Sequence, residues 1–220
     1  DVVADLFALG ERVREDHDAV ISGLRIDPTD GVHERYCEIL GEATLPQFQR
    51  GEPPFDTEGL FELGADGAPV VQREETIPIV ISIPRGTMPG SGWPLLQYFH
   101  GSGGLARQVV DRGPYGMDGV EAVGEGPAHV VAEHGIAAFG SALPISPDRV
   151  PGASAIAYLN FDNLAMTRDL FRQGVLEQRL LLDALLALEI DPAIVETCAG
   201  AALPAGASAH RFDPGALLAM

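Results

Sequence analysis

The stretch Trp93-Pro94-Leu95-Leu96-Gln97-Tyr98-Phe99-His100-Gly101-Ser102-Gly103-Gly104 constrains this chain most. An apolar run of strand length stops at a His-Gly pair, and three of the four residues after His100 are glycines. Glycine lets the backbone turn with positive φ and lets another group approach closely. A buried strand that empties into such a loop can aim several backbone N–H groups at one point. N–H groups fixed in that way stabilise a developing oxyanion. The same residues also suit a plain tight turn, so the rest of the chain has to decide between the two.

A chain of 220 residues can bury one sizeable core. With 46% hydrophobic residues it has the apolar content of a folded domain. It carries 14 Lys plus Arg against 32 Asp plus Glu, a net charge of −18. That balance excludes a nucleic-acid binder, which needs clustered cations. It also excludes docking on anionic lipid. The acidity suits an exported protein, and equally suits simple solubility. No stretch reaches the roughly 18 to 20 apolar residues of a membrane span. The chain opens at Asp1 with no initiator Met and no basic leader segment, so residues upstream, or a cut made there, are expected. Cys37 and Cys198 are too few for a disulfide scaffold. One bridge and two buried thiols are both compatible with them.

Periodicity predicts a helix over residues 1–26, with Val3, Leu6, Phe7, Val13 and Val20 on its apolar side. Residues 27–75, rich in Gly, Pro and acids, read as loops, short strands and a hairpin. Thr76–Pro84 reads as a strand whose Pro78 belongs at an edge or an irregular spot. A helix is expected within 118–134, stopped by Gly135. Ile136–Gly140 reads as a short buried strand, and residues 144–162 as a long connection. The clearest helix spans Asn163–Glu189. Leu164, Phe171, Val175, Leu182 and Leu186 fall within about 60° of one another and define its expected core face. Asp169, Arg172, Gln173, Glu177, Arg179 and Asp183 are expected on the opposite side, with Arg179 and Asp183 able to pair. Gly174 lies in the apolar arc, where it would let the helix pack closely on a sheet. Asp213-Pro214-Gly215 reads as a turn before the strand Ala216–Met220. Strands alternating with helices predict an α/β fold with a mainly parallel sheet flanked by helices.

No G-x-S-x-G elbow is present. Gly152-Ala153-Ser154 and Gly206-Ala207-Ser208 both lack its final glycine, and Ser208 with His210 has no established geometry for a nucleophile and its base. His129 and His134 are five apart, which turns them about 140° away from each other on a helix, so no metal site is expected. No phosphate loop or dinucleotide fingerprint occurs, and no cofactor is expected.

Four segments together resemble the N-terminal half of an α/β-hydrolase, and more narrowly the bacterial exported esterase/lipase-like branch. They are Ile83-Pro84-Arg85-Gly86 with Gly92-Trp93-Pro94, the loop His100-Gly101-Ser102-Gly103-Gly104, Ala132-Glu133-His134-Gly135-Ile136-Ala137, and Asn160-Phe161-Asp162-Asn163 with Thr167–Gln173. The resemblance covers residues 40–220. It sets an N-terminal extension, 1–35, apart from the hydrolase portion, 36–220. It implies a serine carboxylic ester hydrolase with an ester or lipid substrate, in an extracellular or periplasmic setting. Backbone N–H groups near Ser102 and Gly103 would supply half of an oxyanion hole, within the loop His100, Gly101 and Gly104. Arg168 would lie beneath the site, either reaching a carboxylate or loop carbonyl or held in a structural ion pair. Serine, acid and histidine would all follow Met220, so a downstream segment or second polypeptide would complete the sheet. The rival expectation is a non-catalytic binding or assembly protein of the same fold. Many relatives carry an acidic residue and a His-Gly pair after the fourth strand, where this chain has Gly140–Arg149. That departure bears on the lining of the site.

Overall fold

The computed structural model describes residues 2–220, with side chains from residue 5 onward. Helix α1 is Val2–Asp16, and strands β1 (Val20–Ile26), β2 (Tyr36–Gln47), β3 (Arg73–Pro84) and the short β4 (Gly86–Thr87) follow. Then come β5 (Trp93–Tyr98), helices α2 (Gln108–Asp111) and α3 (Pro127–Ala132), and β6 (Ala137–Ser141). Helix α4 (Thr167–Ala187) precedes β7 (Ala201–Ala202) and β8 (Phe212–Ala219). The main sheet has six strands in the order β1-β2-β3-β6-β5-β8.

That sheet corrects the expected mainly parallel arrangement. The pairs β1–β2, β2–β3 and β3–β6 are antiparallel, and only β5–β6 and β5–β8 are parallel. Direction follows the connections. Residues 48–72, between β2 and β3, contain turns and no helix, so the chain returns antiparallel. Helices α2 and α3 carry the chain from β5 to β6, and such a crossover makes a parallel pair. Gly140 and Ser141 show how the layers lie. An added Cβ at Gly140 would meet Val109 of α2, whereas the Ser141 hydroxyl accepts from Gln178 of α4 at 2.9 Å. Successive strand residues point to opposite faces, so α2 and α4 cover opposite sides of the sheet.

The long helix expected over 1–26 is instead a helix and a strand. Its apolar spacing breaks down after Asp16, and Val20–Ile26 pairs with β2. The region read as loops and short strands contains β2, twelve residues long and mostly buried. Glu38, Gly41, Glu42 and Pro46 hide it by interrupting the apolar pattern. Strand β3 begins at Arg73 and is central, yet Pro78 behaves as an edge residue would. Its carbonyl accepts from Ala142 N, so its missing N–H faces the side where the β6 ladder has ended. Gly135 takes φ 69° just after α3, as a helix stop does. The Asp213–Gly215 turn lies inside β8, where Trp93 faces Phe212 but Leu95 faces Leu217. The extra residues form an irregularity held by Gly215 N donating to Asp213 Oδ1 at 2.8 Å.

Helix α4 exists as expected, but it is turned. Its core face carries Leu176, Leu180, Leu181 and Leu185 together with Asp169, Gln173 and Glu177, all buried. Leu164, Phe171 and Val175, expected inside, are exposed. The buried polar row is fully used. Gln173 Nε2 donates to Pro46 O, and its Oε1 accepts from Phe48 N, which satisfies backbone left over where the β2–β3 ladder ends. Asp169 accepts from Phe61 N at 3.0 Å and pairs with Arg168 and Arg172. Burial alone would raise the Asp169 pKa, but those partners hold it below the usual carboxylate value. Arg149, almost wholly buried, bridges Glu177 of α4 at 2.7 Å to Glu75 of β3. Burial opposes its charge, and the two carboxylates outweigh that cost. Arg179 and Asp183 do not pair with each other. They reach α1 instead, through Glu11 and Arg14. Cys37 of β2 and Cys198 form a disulfide that closes 161 residues of sequence.

Candidate active site

The glycine loop after β5 and the loop after β6 stand side by side at the carboxyl ends of two parallel strands. Open α/β sheets bind their ligands at such a crevice. A cavity of about 650 Å³ lies there. Gln97 and Gln178 form its floor, and Phe99 to Gly103 one side. Leu143–Ser146 forms a second side, and Ser154, Ala155 and Tyr158 a third. Helix α4 closes it with Leu170, Phe171, Gly174, Val175 and Leu182. Much of the apolar arc of α4 therefore faces the cavity, and Gly174 lies beside Pro144 at the cavity wall rather than against the sheet. Sequence periodicity found this arc but assigned it to the core. Leu143, Ile145 and Tyr158 gave no sequence signal, because only the tertiary fold brings them together.

His100 fixes the loop. Its Nε2 lies 3.1 Å from the N–H of Leu143 and so must accept. Nδ1 then carries the proton and donates to Gly101 O at 2.9 Å. Asp148 ties the two loops a second time, accepting from Ala106 N at 2.8 Å. Gly104 N donates back to Gly101 O, which closes the turn. Gly103 has φ 65° and passes so close to Ala155 that an added Cβ would lie 2.7 Å from its Cα. Among the described residues, the N–H groups of Ser102 and Gly103 have no hydrogen-bond partner. Across the cavity, Ile145 takes φ 59°, a costly conformation for a β-branched residue. The adjacent Ser146 hydroxyl is buried and unpartnered among the described residues.

Burial holds the His100 pKa below its usual value, and the Gly101 carbonyl and Asp148 only partly offset it. Buried His210, whose Nδ1 accepts from the Trp93 indole at 3.3 Å, is likewise pushed down. A base whose folded pKa is depressed stabilises the fold fully above its unfolded value, about 6.5. That stability is lost as pH falls through the folded value. Thermal stability is therefore expected to decline below about pH 6.5. Protection of the Leu143 amide against exchange should fall in step, because protonated His100 can no longer accept its hydrogen bond. Glu75 and Asp169, held low by arginines, give a second loss at more acidic pH. A Leu143 protection factor, referred to the intrinsic exchange rate at each pH, that does not fall as the solution is acidified would count against the tautomer assigned to His100.

The other singled-out residues lie elsewhere. Arg168 is largely exposed, pairs with Asp169 at 2.9 Å, and does not line the cavity. Ser154 stands at the cavity wall, while Ser208 is exposed and His210 fully buried beside Trp93. Among the described residues no cluster of three or more His, Cys, Asp or Glu could hold a metal ion. No helix among them is long and apolar enough to cross a membrane.

No protein-family model matches the sequence, and no curated protein matches it. The chain is weakly similar, with a TM-score of 0.43 and 11% identity, to the crystal structure of a putative acetyl xylan esterase from Bacteroides fragilis NCTC 9343. That similarity covers 83% of this chain and spans 43% of the other protein.

Proposed function

We propose that these 220 residues are the N-terminal part of a serine carboxylic ester hydrolase, and that they supply its glycine loop and much of its substrate cavity. One observation carries the reading. The two unpartnered N–H groups of Ser102 and Gly103 stand at one end of an apolar cavity, where an ester carbonyl could place its oxygen. The reacting serine would attack that carbonyl, and both N–H groups would stabilise the tetrahedral oxyanion. Serine, acid and histidine would come from sequence following Met220 or from a second polypeptide. That added portion would also pair with the free edge of β8, where Leu217 and Leu218 are half exposed. The buried Cys37–Cys198 bridge supports an extracellular or periplasmic setting.

A second reading is a binding protein of similar fold without catalysis. It is favoured by the cavity itself, where the ring nitrogens of His100 are both engaged and no Ser–His pair is formed among the described residues. The full-length protein separates the two. The hydrolase reading expects labelling by a fluorophosphonate and turnover of p-nitrophenyl octanoate. A full-length protein that neither labels nor turns over would leave only the binding reading.

A further inference from the structure

Most polar groups on the cavity floor are already engaged, the Gln97 Oε1 excepted among the described residues. Gln97 Nε2 donates to Gln178 O and Oε1 at 3.1 and 2.9 Å, and Gln178 Nε2 donates to Ser141 Oγ. Both nitrogens of His100 are used, and the Ser146 hydroxyl is buried away from solvent. Arg179, the one charged residue lining the cavity among the described residues, is paired with Glu11 at 2.7 Å. Among the described residues, few polar groups are left for a ligand: the N–H groups of Gly101, Ser102 and Gly103, Gln97 Oε1, some loop carbonyls and exposed hydroxyls at the mouth. A sugar seated here would give up its water and recover few hydrogen bonds. A charged group would find no counter-ion free. An apolar chain would meet Leu143, Phe171, Val175 and Leu182, and the space far exceeds what an acetyl group needs.

Gly174 adds a second, independent observation. It sits in the middle of α4, where glycine is unfavourable relative to alanine. No close approach demands it. Apart from the helix's own backbone, an added Cβ would meet only Pro144, at 3.6 Å, in ordinary contact. Gly174 and Pro144 both line the cavity, so a side chain larger than a methyl at 174 would extend into the space a ligand uses.

We propose that the cavity takes an uncharged apolar acyl chain, well longer than acetyl, and that Gly174 sets the length it accepts. The proposal rests on the ester-hydrolase reading for the word acyl, while the apolar preference and the role of Gly174 stand on the cavity alone. Each buried methylene strengthens binding about fourfold. Four added methylenes give on the order of a hundredfold if all are buried.

The test is the binding of methyl octanoate, methyl butanoate and glucose pentaacetate to the chain, followed by calorimetry or NMR shifts, with no turnover required. Methyl octanoate is expected to bind at least tenfold more tightly than methyl butanoate, and glucose pentaacetate not to compete. Gly174→Leu should bring octanoate down to the butanoate level and leave butanoate within about twofold. Gly174→Ala guards against misfolding: it should melt no lower than the parent and weaken octanoate part of the way. Equal affinity for the two methyl esters, no binding of either, preference for the sugar acetate, or an unchanged profile in both variants would overturn the proposal. Octanoate selectivity in a full-length protein that resists fluorophosphonate would sink the hydrolase reading and leave the apolar site standing. Labelling combined with preference for the sugar acetate would do the reverse.

Discussion

Gly103→Ala in the full-length protein should cut kcat/KM for p-nitrophenyl octanoate by about two to three orders of magnitude. Two effects combine at this one position. The backbone there has φ 65°, which costs an alanine roughly 1–2 kcal/mol. The new methyl would also sit 2.7 Å from the Cα of Ala155, a backbone atom that cannot swing aside. The loop must shift, and with it the two N–H groups that would face the oxyanion. Gly90→Ala, in a turn outside the cavity, is the matched control. Nothing lies within 4 Å of its added Cβ and its φ is not positive, so turnover should stay within about threefold. Equal losses in both variants, or a full loss of the folded signal in Gly103→Ala alone, would separate a general loosening from the local geometry argued here.

The second large effect concerns stability. Replacing Cys37 and Cys198 with alanine should lower the unfolding free energy by about 5 kcal/mol on the chain-entropy account. The bridge spans 161 residues and so restrains most of the unfolded chain. Both cysteines are buried, which adds a packing loss to the entropic one. Urea unfolding of the double variant, and of the parent with and without reductant, measures the difference. A change below about 1 kcal/mol would mean that the unfolded chain is already compact without the bridge. The region from Ile190 to Cys198 should open first, since the bridge ties it to β2.

What could be read in the sequence was local. Gly135 as a stop after α3, the short buried strand ending near Gly140, and the existence of α4 all follow from spacing and backbone chemistry near one point. What could not be read depended on partners far away. Strand β2 reads as loop because Glu38 sits fully buried in it, and the fold supplies its cationic partner. Glu38 meets Arg107 at 2.9 Å, 69 residues on. The orientation of α4 was misjudged for the same reason. Asp169, Gln173 and Glu177 were placed outside by polarity, yet each finds a partner inside. The glycine loop stood out in the sequence, but the wall opposite it, from Leu143 to Ser146, did not. The sheet's direction is not legible either, because an alternation of strands and helices does not show that β1, β2 and β3 are joined without helices and pair antiparallel.

The turned helix has one more consequence. Its hold on the sheet is written in hydrogen bonds and in the leucines of its inner side, while its lining of the cavity is written in Phe171, Val175 and Leu182. Leu170, Gln178 and Leu182 belong to both sets, whereas the exposed Phe171 and Val175 belong to the lining alone. Phe171 and Val175 can be randomised in a library without touching what anchors the helix, so ligand range can change at these two positions with little effect on the fold.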